Sequence, residues 1–273
     1  ENAKLDSDGP DFGGGDQPPV SAGVLSSTIL SSASVPPVSN GQTAPLASAA
    51  NLSIPANLYV SWLTYHYVTL ESESSYYGSI ASGFGHVFSA AYQPAARIIW
   101  STAQSTPYSA QCKVDDTTMP IMKFRGCTVS EGIGYGMLIS AMQGDEPTFV
   151  TLWNYSRAFR AYNGNQPLTP WITFSFHFNE IDLGSATDAD LDIATSLILM
   201  YLKTTNVAYL NDALVIAGGI WDKEVKDNKL LSGDTRMWDG TKGPIVYNLS
   251  YFSPVALRLF AKYDTAHNWT AVL

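Results

Sequence analysis

The sequence predicts a mainly helical, all-α chain preceded by a segment with no core of its own. Three observations carry that expectation. Apolar residues recur at helical spacing through most of the chain after residue 53, the first fifty residues are almost free of aromatics, and Ser, Thr, Asp and Pro stand where helices would begin. With 273 residues, 45% hydrophobic and only 14% charged, the chain can bury a large core as one domain or two. Its net charge of -9 argues against a nucleic-acid or anionic-membrane surface, because no basic cluster is available to neutralise phosphates. A neutral polar substrate fits better. No apolar run approaches the roughly 20 residues that span a bilayer, and no basic-then-apolar leader opens the chain.

Residues 1–52 read GPDFGGGDQPP and SSASVPPVSNGQ, a Ser/Pro/Gly-rich arm that cannot bury enough apolar area to offset its ordering entropy. Residues 53–273 form the expected domain. Leu58, Trp62, Tyr65 and Thr69 lie on one face of a first helix, expected to point at the core. Between residues 76 and 101 the pattern weakens into Gly-rich and β-compatible pieces (YYGSIASGFGHVF, ARIIW), an excursion or hairpin. Cys112 and Cys127 bracket KVDDTTMPIMKFRG, which suggests a local disulfide in an exported protein, two buried thiols being the alternative. Asn-x-Ser/Thr triplets at Asn51, Asn154, Asn248 and Asn268 arise easily by chance and carry little weight.

A second amphipathic helix is marked by Phe149, Leu152, Trp153 and Ser156. The strongest helix begins at SATDADLDIATSLILMYLK, where Thr187 and Asp190 have capping-box spacing and Leu191, Ala194, Thr195, Ile198 and Leu202 make the buried stripe. Leu210, Ala213, Leu214, Ala217 and Trp221 give the next. Ser253-Pro254 is a cap followed by a first-turn proline, leading into Leu257, Phe260 and Ala261.

One stretch is chemically odd. In CTVSEGIGYGMLISAMQGD a single carboxylate, Glu131, sits among small, aromatic and apolar residues, which should desolvate it and raise its pKa, as a proton donor requires. Asp188 and Asp190 open another helix, and Trp171, Trp238 and Tyr251 fall just outside helices. Paired carboxylates with flat aromatic rings are the equipment of a glycosidase cleft. Plainer readings stand beside this one: the aspartates as helix caps, the tryptophans as core, the glycines as close-packing positions.

The strings TVSEGIGYGMLISAMQGD, FVTLWNY, NGNQPLTPW, SATDADLDIATSLIL and NLSYFSPVALRLFAKYD, in this order, resemble the motif series of family 8 glycoside hydrolases, which includes bacterial endoglucanases, xylanases and chitosanases. The resemblance implies an (α/α)6 barrel and inverting, endo-acting hydrolysis of β-1,4 glycans by a secreted or cell-surface protein, with no cofactor and no metal. It implies that Glu131 is the general acid and that Asp188 holds the sugar beside the scissile bond. Asp190 is implied to be more structural. Trp171, Trp238, Tyr251 and Tyr135 are implied to contact substrate, Tyr251 also helping to position water. The sequence departs from the family pattern at LTPW, at GDTRMW and at Leu249, which stands where the family has proline. The match accounts for roughly the first two thirds of a family domain, counted in helices, and the catalytic base is not identifiable in the chain. A separate C-terminal chain or neighbouring subunit completing the barrel is therefore one expectation. The other functional class left open is a catalytically incomplete scaffold that binds glycan or serves assembly.

Overall fold

The computed structural model describes residues 55–77, 89–100, 128–173, 180–234, 245 and 247–273, all within one compact unit, Ala49–Leu273. The arm, Cys112, Cys127 and Trp238 lie outside the described residues. The expected all-α class holds. Helices α1 (Ala56–His66) and α2 (Leu70–Tyr77) flank strand β1 (Tyr67–Thr69), which pairs antiparallel with β2 (Ala96–Ile98), Tyr67 opposite Ile98. The ARIIW segment is thus partly a strand, as its β-branched residues suggested.

Strand β3 (Thr128–Val129) runs directly into α3 (Ser130–Gln143). That helix ends at Gly144, whose left-handed φ of 74° lets its N–H reach back to the Ala141 carbonyl. The next residue, Asp145, caps α4 (Glu146–Tyr162) by accepting from the Thr148 N–H. Two residues join α3 to α4, so they form an antiparallel hairpin. Strands β4 (Pro170–Thr173) and β5 (Glu180–Ser185) precede α5 (Thr187–Thr204). A second tight link, Thr205 with φ 59° and the capping residue Asn206, turns α5 into α6 (Val207–Glu224). After a short ribbon, β6 (Val225–Lys226) with β7 (Lys229–Leu230), Ser253 accepts from the Ala256 N–H to start α7 (Pro254–Tyr263).

Helix α5 is the hub, packed against α3, α6 and α7. Near its start, a Cβ on Gly134 of α3 would lie 3.2 Å from the Ala189 carbonyl and 3.0 Å from Cβ of Asp192. Near its end, Lys203 Nζ donates to the Met142 carbonyl at 3.0 Å. Helices α3 and α5 therefore run parallel and in step. With α3, α5 and α7 side by side and α4 and α6 backing them, the helices form the two layers of an (α/α)6 architecture. Leu152, Leu191, Ile193, Leu197, Ile216 and Leu257 fill the space between the layers and are fully buried. No helix among the described residues is long and apolar enough to cross a membrane.

Three local expectations are corrected. The inward face of α1 carries Tyr59, whose hydroxyl donates to Asp145, and Trp62; Leu58 and Tyr65 are exposed, and Thr69 belongs to β1. Because α1 is apolar on several sides, spacing alone did not fix its face. Leu202 is likewise exposed. The capping box at Thr187 does not form: Ala186 is the N-cap, and Asp190 Oδ1 instead accepts from the Thr169 N–H at 3.0 Å. Asn154, in one glycosylation triplet, is buried and donates to the Pro94 carbonyl.

The close approach of α6 to the segment before β4 depends on Gly219. A Cβ there would stand 2.6 Å from Pro167 Cγ and 2.9 Å from Leu168 Cδ2. Gly219→Ala is expected to cost about 1–3 kcal/mol through overpacking, measured by urea denaturation. An unchanged midpoint would show that the Pro167 segment yields freely.

Candidate active site

A three-stranded antiparallel sheet, β3-β4-β5, organises the site. Thr128 pairs with Thr173, Val129 with Ile172, and Pro170 with Ser185. Strand β3 delivers the chain to Glu131 in the first turn of α3, β4 carries Trp171, and β5 ends three residues before Asp188 in the first turn of α5. Strands of two to six residues show no useful alternation, so the sheet was not legible beforehand. It brings together side chains that are 40 and more residues apart.

Glu131 is largely withdrawn from water. Its Oε1 accepts from the Trp171 indole N–H at 3.0 Å, and its Oε2 accepts from the Ser130 hydroxyl at 3.3 Å. Burial raises its carboxyl from the ordinary 4.5 to about 7, with the negative charge of Asp188 adding to the rise. The Trp171 and Ser130 hydrogen bonds act the other way, and so does a positive helix start, but burial wins. Asp188 Oδ1 accepts from the Ala189 N–H at 2.9 Å, and burial moves its carboxyl to about 6. The order is consistent: Asp188 ionises first and Glu131 keeps its proton to higher pH.

Tyr251, in a 3-10 turn (Leu249–Tyr251) just before α7, is half-buried, and its phenol is pushed up by burial and then by the charges of Asp188 and Glu131. Tyr135, one helical turn past Glu131, is pushed up by burial and then by Asp188, Asp192 and Glu131. Glu131, Asp188, Trp171, Tyr135 and Tyr251 are therefore one cluster at the starts of α3, α5 and α7. Trp171 reaches Glu131 through its indole N–H, a contact that the expectation of a stacking platform did not include.

Asp192 was missed. It lies one turn after Asp188 on α5, against Gly134, and burial followed by the Asp188 charge raises it to about 7. In the sequence nothing sets it apart from the other aspartates of TDADLD. Beneath the cluster, Asp190 and Glu224 are fully buried, with Ser185 Oγ donating to Glu224 Oε1 at 2.6 Å and Thr169 N–H bonding Asp190. Burial in the first place, and Glu224 and Asp234 next, hold Asp190 well above the carboxylate range; burial also raises Glu224, to about 8. This pair fixes the Thr169 and Ser185 ends of the strands on either side of the site. Among the described residues no group of three or more His, Cys, Asp or Glu is arranged to hold a metal ion.

Comparison with known proteins gives a consistent picture. The family model of the glycosyl hydrolases family 8 matches residues 78–273. Over 152 residues the chain is 36% identical to Endoglucanase C of Ruminiclostridium cellulolyticum, a match covering 53% of this chain and 31% of that protein. Over 150 residues it is 34% identical to Endoglucanase 2 of Ruminiclostridium josui, covering 53% and 31%. The match thus spans about a third of the length of these curated relatives. Among solved structures, the apo Beta-1,3-1,4-glucanase from Paenibacillus sp.X4 superposes with a TM-score of 0.57 at 22% identity, covering 80% of this chain and 48% of that one, which supports the fold.

Proposed function

The chain belongs to family 8 of the glycosyl hydrolases, and from that premise we propose that it takes part in endo-acting, inverting hydrolysis of β-1,4-linked glycans outside the cell, with Glu131 as the proton donor. The observation that carries the reading is Glu131 itself: a carboxyl raised to about 7 by burial, held by Trp171 and set beside Asp188. A carboxyl that holds its proton up to about pH 7, next to one that ionises above about 6, is the arrangement that glycosidic cleavage needs. The relatives named endoglucanases support an internal point of attack on a glucan.

In the proposed step Glu131 gives its proton to the glycosidic oxygen as the bond from that oxygen to the anomeric carbon breaks. Water adds to the anomeric carbon from the opposite face and loses a proton to a base. Inverting enzymes place that base about 6.5–9.5 Å from the acid to leave room for the water. The base is not assigned to any residue of this chain. Asp188, ionised, accepts hydrogen bonds from hydroxyls of the sugar beside the scissile bond, and Tyr251 helps to hold the water. Asp192, raised to about 7, is mostly neutral only below that pH, where it adds little negative charge beside Asp188.

The pH dependence tests this assignment. Turnover requires Glu131 protonated, below about 7, and Asp188 ionised, above about 6. The expected profile of kcat/KM on soluble β-glucan, read as reducing ends released, is a narrow bell centred between these values, falling about tenfold per pH unit on either side. A rate that keeps rising through pH 9 would remove Glu131 from the role of acid. Glycan binding with no release of reducing ends at any pH would favour the binding-scaffold class instead.

A further inference from the structure

The chain following β2 leaves the sheet at Ile99, which is buried, and presents Trp100, 46% exposed. Its indole lies over Gly132, the residue after Glu131: a Cβ on Gly132 would be 3.2 Å from the Trp100 ring. Tyr135, 44% exposed, tilts against it with ring centroids 5.7 Å apart and an interplanar angle of 43°. Trp62 and His66 of α1, with ring centroids 5.8 Å apart, join them, among the described residues, in lining a hollow of about 160 Å³, room for one six-membered ring. His66 Nδ1 is paired with the Ile99 carbonyl at 3.1 Å, so it donates there and leaves Nε2 as the other polar edge of the ring.

We propose that Trp100, Tyr135, Trp62 and His66 form a sugar subsite that receives a ring of the glycan next to the one being cleaved. The proposal rests on the glycosidase reading given above. Two large aromatic side chains that are nearly half wet, in a fold that buries most others, are costly to leave without a partner. Among the described residues no aspartate, glutamate, lysine or arginine lines the hollow, which favours a neutral ligand. A pyranose ring offers an apolar C–H face for the indole and phenol rings and a rim of hydroxyls for polar edges such as His66 Nε2 and the Tyr135 hydroxyl. Tyr135 lies about one helical turn, roughly 5.4 Å, along α3 from the acid. That offset puts the bound ring beside the reacting sugar rather than on it, continuous with the Glu131 site.

The test uses the Glu131→Gln background, so that ligand is bound without being cleaved, and measures affinity for β-1,4-linked glucose oligomers of two to six units by calorimetry. Trp100→Leu keeps an apolar side chain over Gly132 but removes the flat face; Trp100→Phe keeps one. Binding of the hexamer is expected to weaken about tenfold in Trp100→Leu and to stay within about threefold in Trp100→Phe. Equal hexamer affinity in the Leu and Phe variants overturns the subsite, and with a lowered melting temperature it makes Trp100 a packing residue covered by the chain itself. If the parent protein binds no oligomer of any length, the glycosidase reading falls and the subsite falls with it; failure confined to the Trp100 pair leaves that reading intact.

Discussion

Glu131→Gln is expected to lower turnover by about 10²–10⁴-fold while leaving glycan affinity nearly unchanged, because the amide keeps the shape and still accepts from Trp171 but has no acidic proton to give. The same change should stabilise the protein, in one pH range only. The Glu131 carboxyl is raised from 4.5 to about 7 in the folded state, so folding favours its protonated form. That favourable contribution is complete below the unfolded value near 4.5 and is lost as pH rises to about 7. Above 7 the native protein holds a buried carboxylate at a cost on the order of 3 kcal/mol. Glutamine removes that cost. Urea denaturation should therefore show the variant more stable than its parent at pH 8 and equal to it at pH 4. Retained turnover would sink the assignment of the acid; equal stability at pH 8 would show that Glu131 is not desolvated.

The second large effect concerns the support of β3. Arg97, in β2, is fully buried, donates through Nε to Glu73 Oε2 at 2.8 Å and through Nη1 to Thr128 Oγ1 at 3.0 Å. It thus ties α2 to the strand that leads into Glu131. Arg97→Ala strands the Glu73 carboxylate in the interior and is expected to cost about 3–5 kcal/mol. Arg97→Met combined with Glu73→Leu, which removes both charges and keeps volume, should recover most of that stability. A single-variant loss under 1 kcal/mol by chemical denaturation would mean that water reaches Glu73 readily.

Long helices with one apolar stripe were legible, and the reasons can be named. Phe149, Leu152, Trp153 and Ser156 are buried as their spacing required, and Ser253-Pro254 begins α7 as local cap chemistry dictates. Where tertiary partners outbid local preference, spacing misled. Asp190 looked like the acid of a capping box, but its carboxyl is taken by a backbone N–H 21 residues away. On α1, Tyr59 turns inward because Asp145 accepts from its hydroxyl, a partner no local window contains. Glu131 could be read because a lone acid amid glycines and apolar residues has few structural uses. Asp192 could not, since neighbouring aspartates hid it and only the approach of Gly134 across the helix interface singles it out.

The parallel, in-step pairing of α3 and α5 has a consequence for how such a protein can diversify. Glu131 and Asp188 each sit in the first turn of one of these helices, and contacts at Gly134 and Lys203 hold the pair at both ends. Inserting one residue between Glu131 and Gly134 would swing the carboxyl by about 100° around the helix axis, away from its neighbour. Lengthening the segments that lead into the helices or leave them does nothing of the kind. Innovation in which polymer is accepted is thereby steered into those connectors, while the spacing of the two acids is inherited unchanged with the helix interface.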